Sequence, residues 1–187
     1  MLNSWGIDAC DLTLNSSAIK NVLNQGRREP FDLIIVEQFN SDCMLGVAHI
    51  LEAPVIGLSS CNIMPWHFSR IGLPYEPGFF PTTFIGGSDN MNFATRLSNW
   101  FTFVYMNVMY RRLSETEINR LLRKRFGHDS PDVGILSKKV SMMFVNQHFS
   151  LSGAKHLPPN VLELGGIHIQ KAKPMDPVRE ILISVNV

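Results

Sequence analysis

The chain has 187 residues, of which 45% are hydrophobic and 18% charged, with a formal net charge of +1. That is the size of one domain with a sizeable core; it excludes a disordered chain and offers no stripe of Lys and Arg interleaved with aromatics for a nucleic acid to follow. The strongest apolar run, near Trp100, is short for a membrane span and interrupted by Asn107, and Met1 to Trp5 lacks the basic-then-apolar build of a secretory leader.

In chain order, Asn15-Ser16-Ser17 can cap a helix carrying Ile19, Val22 and Leu23 on one face. The same tripeptide is an N-glycosylation sequon, and the two readings compete. Residues 31–37 (FDLIIVE) form a nearly continuous apolar run. Its β-branched Ile34, Ile35 and Val36 predict a strand buried on both faces. Asp42 precedes a second apolar helix that runs to Leu51, and Pro54 opens a second strand, Val55-Ile56-Gly57-Leu58. Helix, strand, helix, strand with short joins is the pattern of an α/β fold, a parallel sheet covered by helices.

From Ser59 to Gly87 periodicity is lost among four prolines and several glycines, mixed with Trp66, Phe68, Tyr75, Phe79 and Phe80. So aromatic a stretch predicts an ordered, functional loop. Helical spacing returns at Phe93, Leu97, Trp100, Phe101, Val104 and Val108. Ser114-Glu115-Thr116-Glu117 has the form of a capping box and predicts a fresh helix start. Leu121, Leu122 and Phe126 follow on one face. Gly127 suits the C-cap, and Arg120, Arg123, Lys124 and Arg125 suit a solvated last turn. Residues 140–145 and 161–164 read as a third and a fourth strand. After Gly165-Gly166 the composition shifts towards Lys171, Lys173, Pro174 and Pro177, which predicts a linker leaving the domain.

Several chemistries have no signature. No GxGxxG follows a strand, and there is no GxxxxGK[ST], HExxH or GxSxG. The six histidines lack metal-ligand spacing. Cys10, Cys43 and Cys61 form neither a CxxC pair nor an even-numbered set, so neither zinc nor a disulfide framework is expected.

Three segments extend the reading. The first is Phe31-Asp32-Leu33-Ile34-Ile35-Val36-Glu37, with Asp42-Cys43-Met44-Leu45-Gly46 and Ala53-Pro54-Val55-Ile56-Gly57-Leu58-Ser59-Ser60. The second is Asn119-Arg120-Leu121-Leu122-Arg123-Lys124-Arg125-Phe126-Gly127. The third is Val145-Asn146-Gln147-His148-Phe149-Ser150, through Leu157-Pro158-Pro159-Asn160-Val161 to Gly165-Gly166-Ile167-His168-Ile169. Over residues 16–174 the chain resembles family 1 UDP-glycosyltransferases, in particular the insect enzymes that glucosylate small lipophilic molecules.

The resemblance implies two Rossmann-like domains facing each other across a cleft (the GT-B arrangement), with this chain part of the N-terminal, acceptor-binding one. Residues 1–170 would be that partial domain and residues 171–187 a linker and divergent tail. The C-terminal domain, which would bind the UDP-sugar, lies outside the sequence. No resident cofactor is implied; the donor would be UDP-glucose and the partner a small lipophilic acceptor, with a homo-oligomer left open. The family's membrane-anchored enzymes face the endoplasmic reticulum lumen. In their inverting reaction a histidine takes the acceptor's proton, and a carboxylate holds the imidazole in the right tautomer.

That histidine lies outside the chain, so the fragment alone would be inactive, but the carboxylate belongs at the end of the first strand. Glu37 occupies that place, at the carboxyl edge where α/β folds hold ligands. The family more often has Asp there. Asp42 is the rival carboxylate; its plainer role is a helix N-cap, as Glu37's is a strand-end acid facing water. Met64, Trp66, His67, Phe68, Phe79 and Phe80 lie where the family's acceptor loops run and can supply apolar walls. A second reading is a non-catalytic short form that binds lipophilic ligands or pairs with full-length subunits. A stand-alone flavodoxin-like domain is disfavoured by the missing phosphate loop.

Overall fold

Four short apolar strands pair into one parallel sheet in the order β1-β2-β3-β4. The structure, a computed structural model, describes residues 2–85, 90–153 and 156–170, so the expected linker and tail at 171–187 fall outside the described residues. The elements are α1 (Leu2–Asn15), α2 (Ser17–Arg28), β1 (Ile34–Glu37), α3 (Cys43–Ile50) and β2 (Val55–Ser59). They continue with α4 (Phe93–Met109), α5 (Thr116–Phe126), α6 (Val133–Leu136), β3 (Met142–Val145), α7 (Phe149–Ser152) and β4 (Val161–Glu163). The helices and strands read from the apolar runs appear in that order, and the structure adds α1, α6 and α7.

Strand register decides which side chains share a face. Val36, Gly57, Met143 and Val161 lie in one row across the four strands. This face is covered. Val36 packs with Leu45 and Ala48 of α3 and Leu136 of α6, while Met143, Val145 and Val161 pack on Ile63, Phe68, Ile71 and Leu73 of the long loop. The opposite row, Ile35-Ile56-Met142, has no comparable cover among the described residues. Ile35 is 58% exposed against 4% for Val36. The expectation of a first strand buried on both faces is therefore corrected: β1 is an edge strand of a sheet that, among the described residues, is covered on one side. Its continuous apolar run reflects two faces of the strand, only one of which meets this chain's own core.

A second core joins the helices. Cys10 and Leu14 of α1, Leu23 of α2, Cys43 and Val47 of α3, and Ile118 and Leu122 of α5 pack together. Cys10 and Cys43 are disulfide-bonded, and Cys61 is free. This corrects the expectation drawn from the odd cysteine count, because three thiols leave room for one bridge and a spare. What the count missed was α1, whose Ile7, Cys10 and Leu14 recur at helical spacing and deliver Cys10 to the start of α3.

Ser16 caps α2 as expected, its hydroxyl accepting from the Ile19 N–H at 3.3 Å. The predicted fresh start at Ser114 is corrected. α4 runs into α5 without a break through a π-helical segment, Tyr110–Glu115. The backbone N–H groups there already have helical partners, so no cap is needed; Ser114 is buried and Glu117 pairs instead with Arg120. Gly127 ends α5 with φ 102°, the positive-φ position that glycine tolerates.

Candidate functional site

The carboxyl ends of β1 and β2 bring Glu37 beside Ser60. Glu37 Oε1 accepts from the Ser60 hydroxyl at 2.6 Å and from the Ser60 N–H at 3.3 Å. The side chain is exposed, with one oxygen anchored. The Ser60 carbonyl in turn accepts from Asn146 Nδ2, just beyond β3, at 3.0 Å. Glu37, Ser60 and Asn146 thus make a polar chain across three strand ends.

Asp42 is placed quite differently. It is 1% exposed and its side chain caps nothing; the Cys43 N–H bonds to Ser41 Oγ instead. Asp42 Oδ2 is 2.5 Å from an Arg70 guanidinium nitrogen and accepts from the Tyr110 hydroxyl at 2.8 Å. Oδ1 accepts from Gln38 Nε2 at 3.1 Å. Arg70 also pairs with Glu115 at 2.6 Å and lies 5.0 Å from the centre of the Tyr110 ring. Burial works against the Arg70 charge, but Asp42, Tyr110 and Glu115 outweigh it and its pKa is raised. Burial and then Asp42 push Tyr110 well above its usual value, keeping its proton available for Asp42. With both oxygens engaged, Asp42 ties the turn after β1 to the loop and to the π segment. Gln38, next to Glu37, is held against Gly57, where any Cβ would collide with the amide oxygen.

Of the six aromatic and apolar loop residues, Met64, Trp66, His67 and Phe68 are buried. Trp66 stacks on Tyr110 with ring centres 4.5 Å apart and donates to the Phe39 carbonyl at 3.2 Å. His67 is 1% exposed, and its Nδ1 accepts from the Met64 N–H at 3.3 Å, which places the proton of the neutral ring on Nε2. Burial, then the Arg70 charge, hold the His67 pKa down to about 4, against the opposing pull of Asp42. Phe79, 68% exposed, and the half-buried Phe80 lie further along the loop.

Asn99, which no local pattern singles out, fixes that part of the loop. Buried on α4, it accepts from the Thr82 N–H at 2.8 Å and donates to the Pro77 and Phe80 carbonyls at 3.0 and 2.7 Å. Among the described residues no three metal-binding side chains converge, and no helix is long and apolar enough to cross a membrane.

A parallel sheet with its polar side chains gathered at the carboxyl ends of the strands, and a long ordered loop packed over one face, is a Rossmann-like α/β domain. The chain belongs to the UDP-glucoronosyl and UDP-glucosyl transferase family, which matches residues 7–184. It is 34% identical to a "UDP-glucosyltransferase 2" of Dactylopius coccus, covering 89% of this chain and 32% of that protein. It is 29% identical to an "Ecdysteroid UDP-glucosyltransferase" of Spodoptera littoralis nuclear polyhedrosis virus, covering 77% of this chain and 28% of that one. A "UDP-glucuronosyltransferase 3A1" of Xenopus laevis is 27% identical over 89% of this chain and 31% of its own length. The chain spans about a third of the length of the curated relatives it matches.

Proposed function

We propose that this chain forms the acceptor side of a UDP-sugar-dependent glycosyltransferase, with Glu37 as the residue that orients the general base. The observation that carries the reading is the anchoring of Glu37 at the carboxyl edge: Ser60 grips one carboxylate oxygen while the side chain stays exposed. A carboxylate so held can accept from an imidazole N–H and set its tautomer, as the family's mechanism requires. Asp42, with both oxygens engaged in the interior, is the weaker candidate for that contact. The base itself would be a histidine.

The histidine would remove the acceptor hydroxyl's proton as its oxygen forms a bond to the anomeric carbon. The bond from that carbon to the phosphate oxygen would break with inversion, and UDP would leave with the electron pair. The donor would sit on a second domain, with no resident cofactor. The names of the Dactylopius coccus and viral relatives support glucose as the sugar, whereas that of the Xenopus laevis relative prints glucuronosyl. Phe79 and Phe80 supply apolar surface for a small lipophilic acceptor, and the buried Met64, Trp66, His67 and Phe68 hold the loop's shape. The Cys10–Cys43 bridge supports a lumenal, oxidising setting.

The test is product formation from UDP-glucose and 1-naphthol by the protein at its native length. Glu37→Gln is expected to lower kcat by about 10²-fold or more with little change in the acceptor KM. No UDP-glucose-dependent product from the wild-type protein would overturn the proposal, and an unchanged kcat in Glu37→Gln would overturn the role of Glu37.

A further inference from the structure

The junction between α1 and α2 holds the one Asn-X-Ser/Thr triplet of the 187-residue sequence, Asn15-Ser16-Ser17. In the folded chain its two readings do not compete, because they fall on different residues. Ser16 supplies the cap: its backbone is extended, with φ −69° and ψ 154°, and its hydroxyl accepts from the Ile19 N–H. An N-linked glycan uses neither group. It needs the Asn15 amide nitrogen as acceptor and the Ser17 hydroxyl as the recognised third residue, with any residue but proline between them.

Asn15 is the last residue of α1 and is exposed, as are Ser17 and Ala18 after it. Leu12, one turn earlier, is 75% exposed, whereas Leu14 turns into the helix core. The described residues thus leave room for a bulky group on the amide. Asn15 Nδ2 donates to the Asp11 carbonyl at 2.8 Å and to Asp11 Oδ1 at 3.2 Å. Glycosylation removes one of the two amide protons. The other suffices for the shorter bond, so the end of α1 keeps its tie.

The site is also set apart from the proposed chemistry. Gly6 abuts the Asn40 carbonyl in the turn after β1, where a Cβ would meet that oxygen at 2.6 Å. Asn15 lies about 13 Å further along the helix, at about 1.5 Å per residue. Between them Cys10 is bridged to Cys43. A disulfide marks an oxidising compartment, and in eukaryotic cells the secretory lumen is also where oligosaccharide is transferred to Asn.

We infer that Asn15 carries an N-linked glycan, added in the same lumen that forms the Cys10–Cys43 bridge. The assignment rests on the lumenal setting and not on the transferase reaction. In the modifying step Asn15 Nδ2 forms a bond to the anomeric carbon of an N-acetylglucosamine held on an isoprenoid diphosphate. The bond from that carbon to the phosphate oxygen breaks, the diphosphate leaves with the electron pair, and Nδ2 loses one proton.

The test is peptide mass spectrometry on the native-length protein expressed in human cells. Peptide-N-glycosidase in heavy-oxygen water turns a glycosylated Asn15 into labelled Asp, and omitting the enzyme controls for spontaneous deamidation. Wild-type protein is expected to carry the label at Asn15 only after enzyme treatment. Ser17→Ala should lose the label while keeping the α2 cap. Ser16→Ala should keep the label and lower Tm through the lost cap.

An Asn15 peptide found only unmodified, in protein whose Cys10–Cys43 bridge is formed, overturns the inference at this site alone. The same result in protein with that bridge open overturns it together with the lumenal setting. Label that persists in Ser17→Ala, or disappears in Ser16→Ala, also overturns it, because the glycan and the cap would then not be divided between the two serines. None of these readouts needs turnover, so a failed 1-naphthol assay leaves a glycan at Asn15 standing.

Discussion

Asp42 and Arg70 meet at 2.5 Å with both side chains sealed from solvent, and this one pair joins the turn after β1 to the long loop. Tyr110 and Glu115 extend it to the π segment between α4 and α5. Removing one member of a buried ion pair leaves the other uncompensated, at about 3–5 kcal/mol. Arg70→Met is expected to cost that much in urea unfolding, since it strands Asp42. Asp42→Asn should cost less, because Glu115 remains beside Arg70. The double variant should fall short of the sum, and additive costs would show that the pair is not coupled.

His67 links stability to pH. Its folded pKa of about 4 lies below the ordinary 6.5, so between those values the unfolded chain binds a proton that the folded one refuses. Stability is therefore full above about pH 6.5 and falls as pH drops towards 4, by up to about 3 kcal/mol from this group. His67→Gln keeps an acceptor for the Met64 N–H and removes the titration. Chemical unfolding at stepped pH should show a shallower acid slope in this variant, and equal slopes would assign the loss to carboxylates.

The contrast between Glu37 and Asp42 shows what the sequence could and could not reveal. Apolar runs and β-branched residues made the strands and their order legible, because these depend on local composition. The anchoring of Glu37 follows from strand order and register, since β1 pairs in parallel with β2 and sets Glu37 opposite Leu58, two residues before Ser60. The role of Asp42 was illegible: its position before an apolar helix is that of a cap, and its real partners, Arg70 and Tyr110, come from distant elements. The capping box at Ser114 failed for a related reason, since a π segment feeding α5 from behind leaves no spacing signal. The burial of His67 likewise depends on where a non-periodic loop settles.

The one-sided sheet gives a paired prediction. Val36→Ala empties a packed position and should cost about 2 kcal/mol. Ile35→Thr preserves β-branching on the open face and should lie within about 0.5 kcal/mol of wild type in the 187-residue chain. Repeating both in the native-length protein reads out whether that face is covered there. A cost for Ile35→Thr approaching that of Val36→Ala would mean that it is, and an unchanged small cost would mean that it stays open.

The Cys10–Cys43 bridge closes a sequence separation of 33 residues and fastens α1 to the start of α3, immediately beside Asp42. Closing a loop of that length in the unfolded chain stabilises the fold by about 3–4 kcal/mol on the chain-entropy account. Reduction, or the double variant Cys10→Ser with Cys43→Ser, is therefore expected to lower Tm by about 10 °C for a domain of this size. Cys61→Ser touches no bridge and should leave Tm near wild type. Mass spectrometry of the unreduced, alkylated protein should find label on Cys61 alone. Label on all three thiols would show that the bridge is not formed, leaving α1 to be held by the packing of Leu14 and its neighbours with α2, α3 and α5.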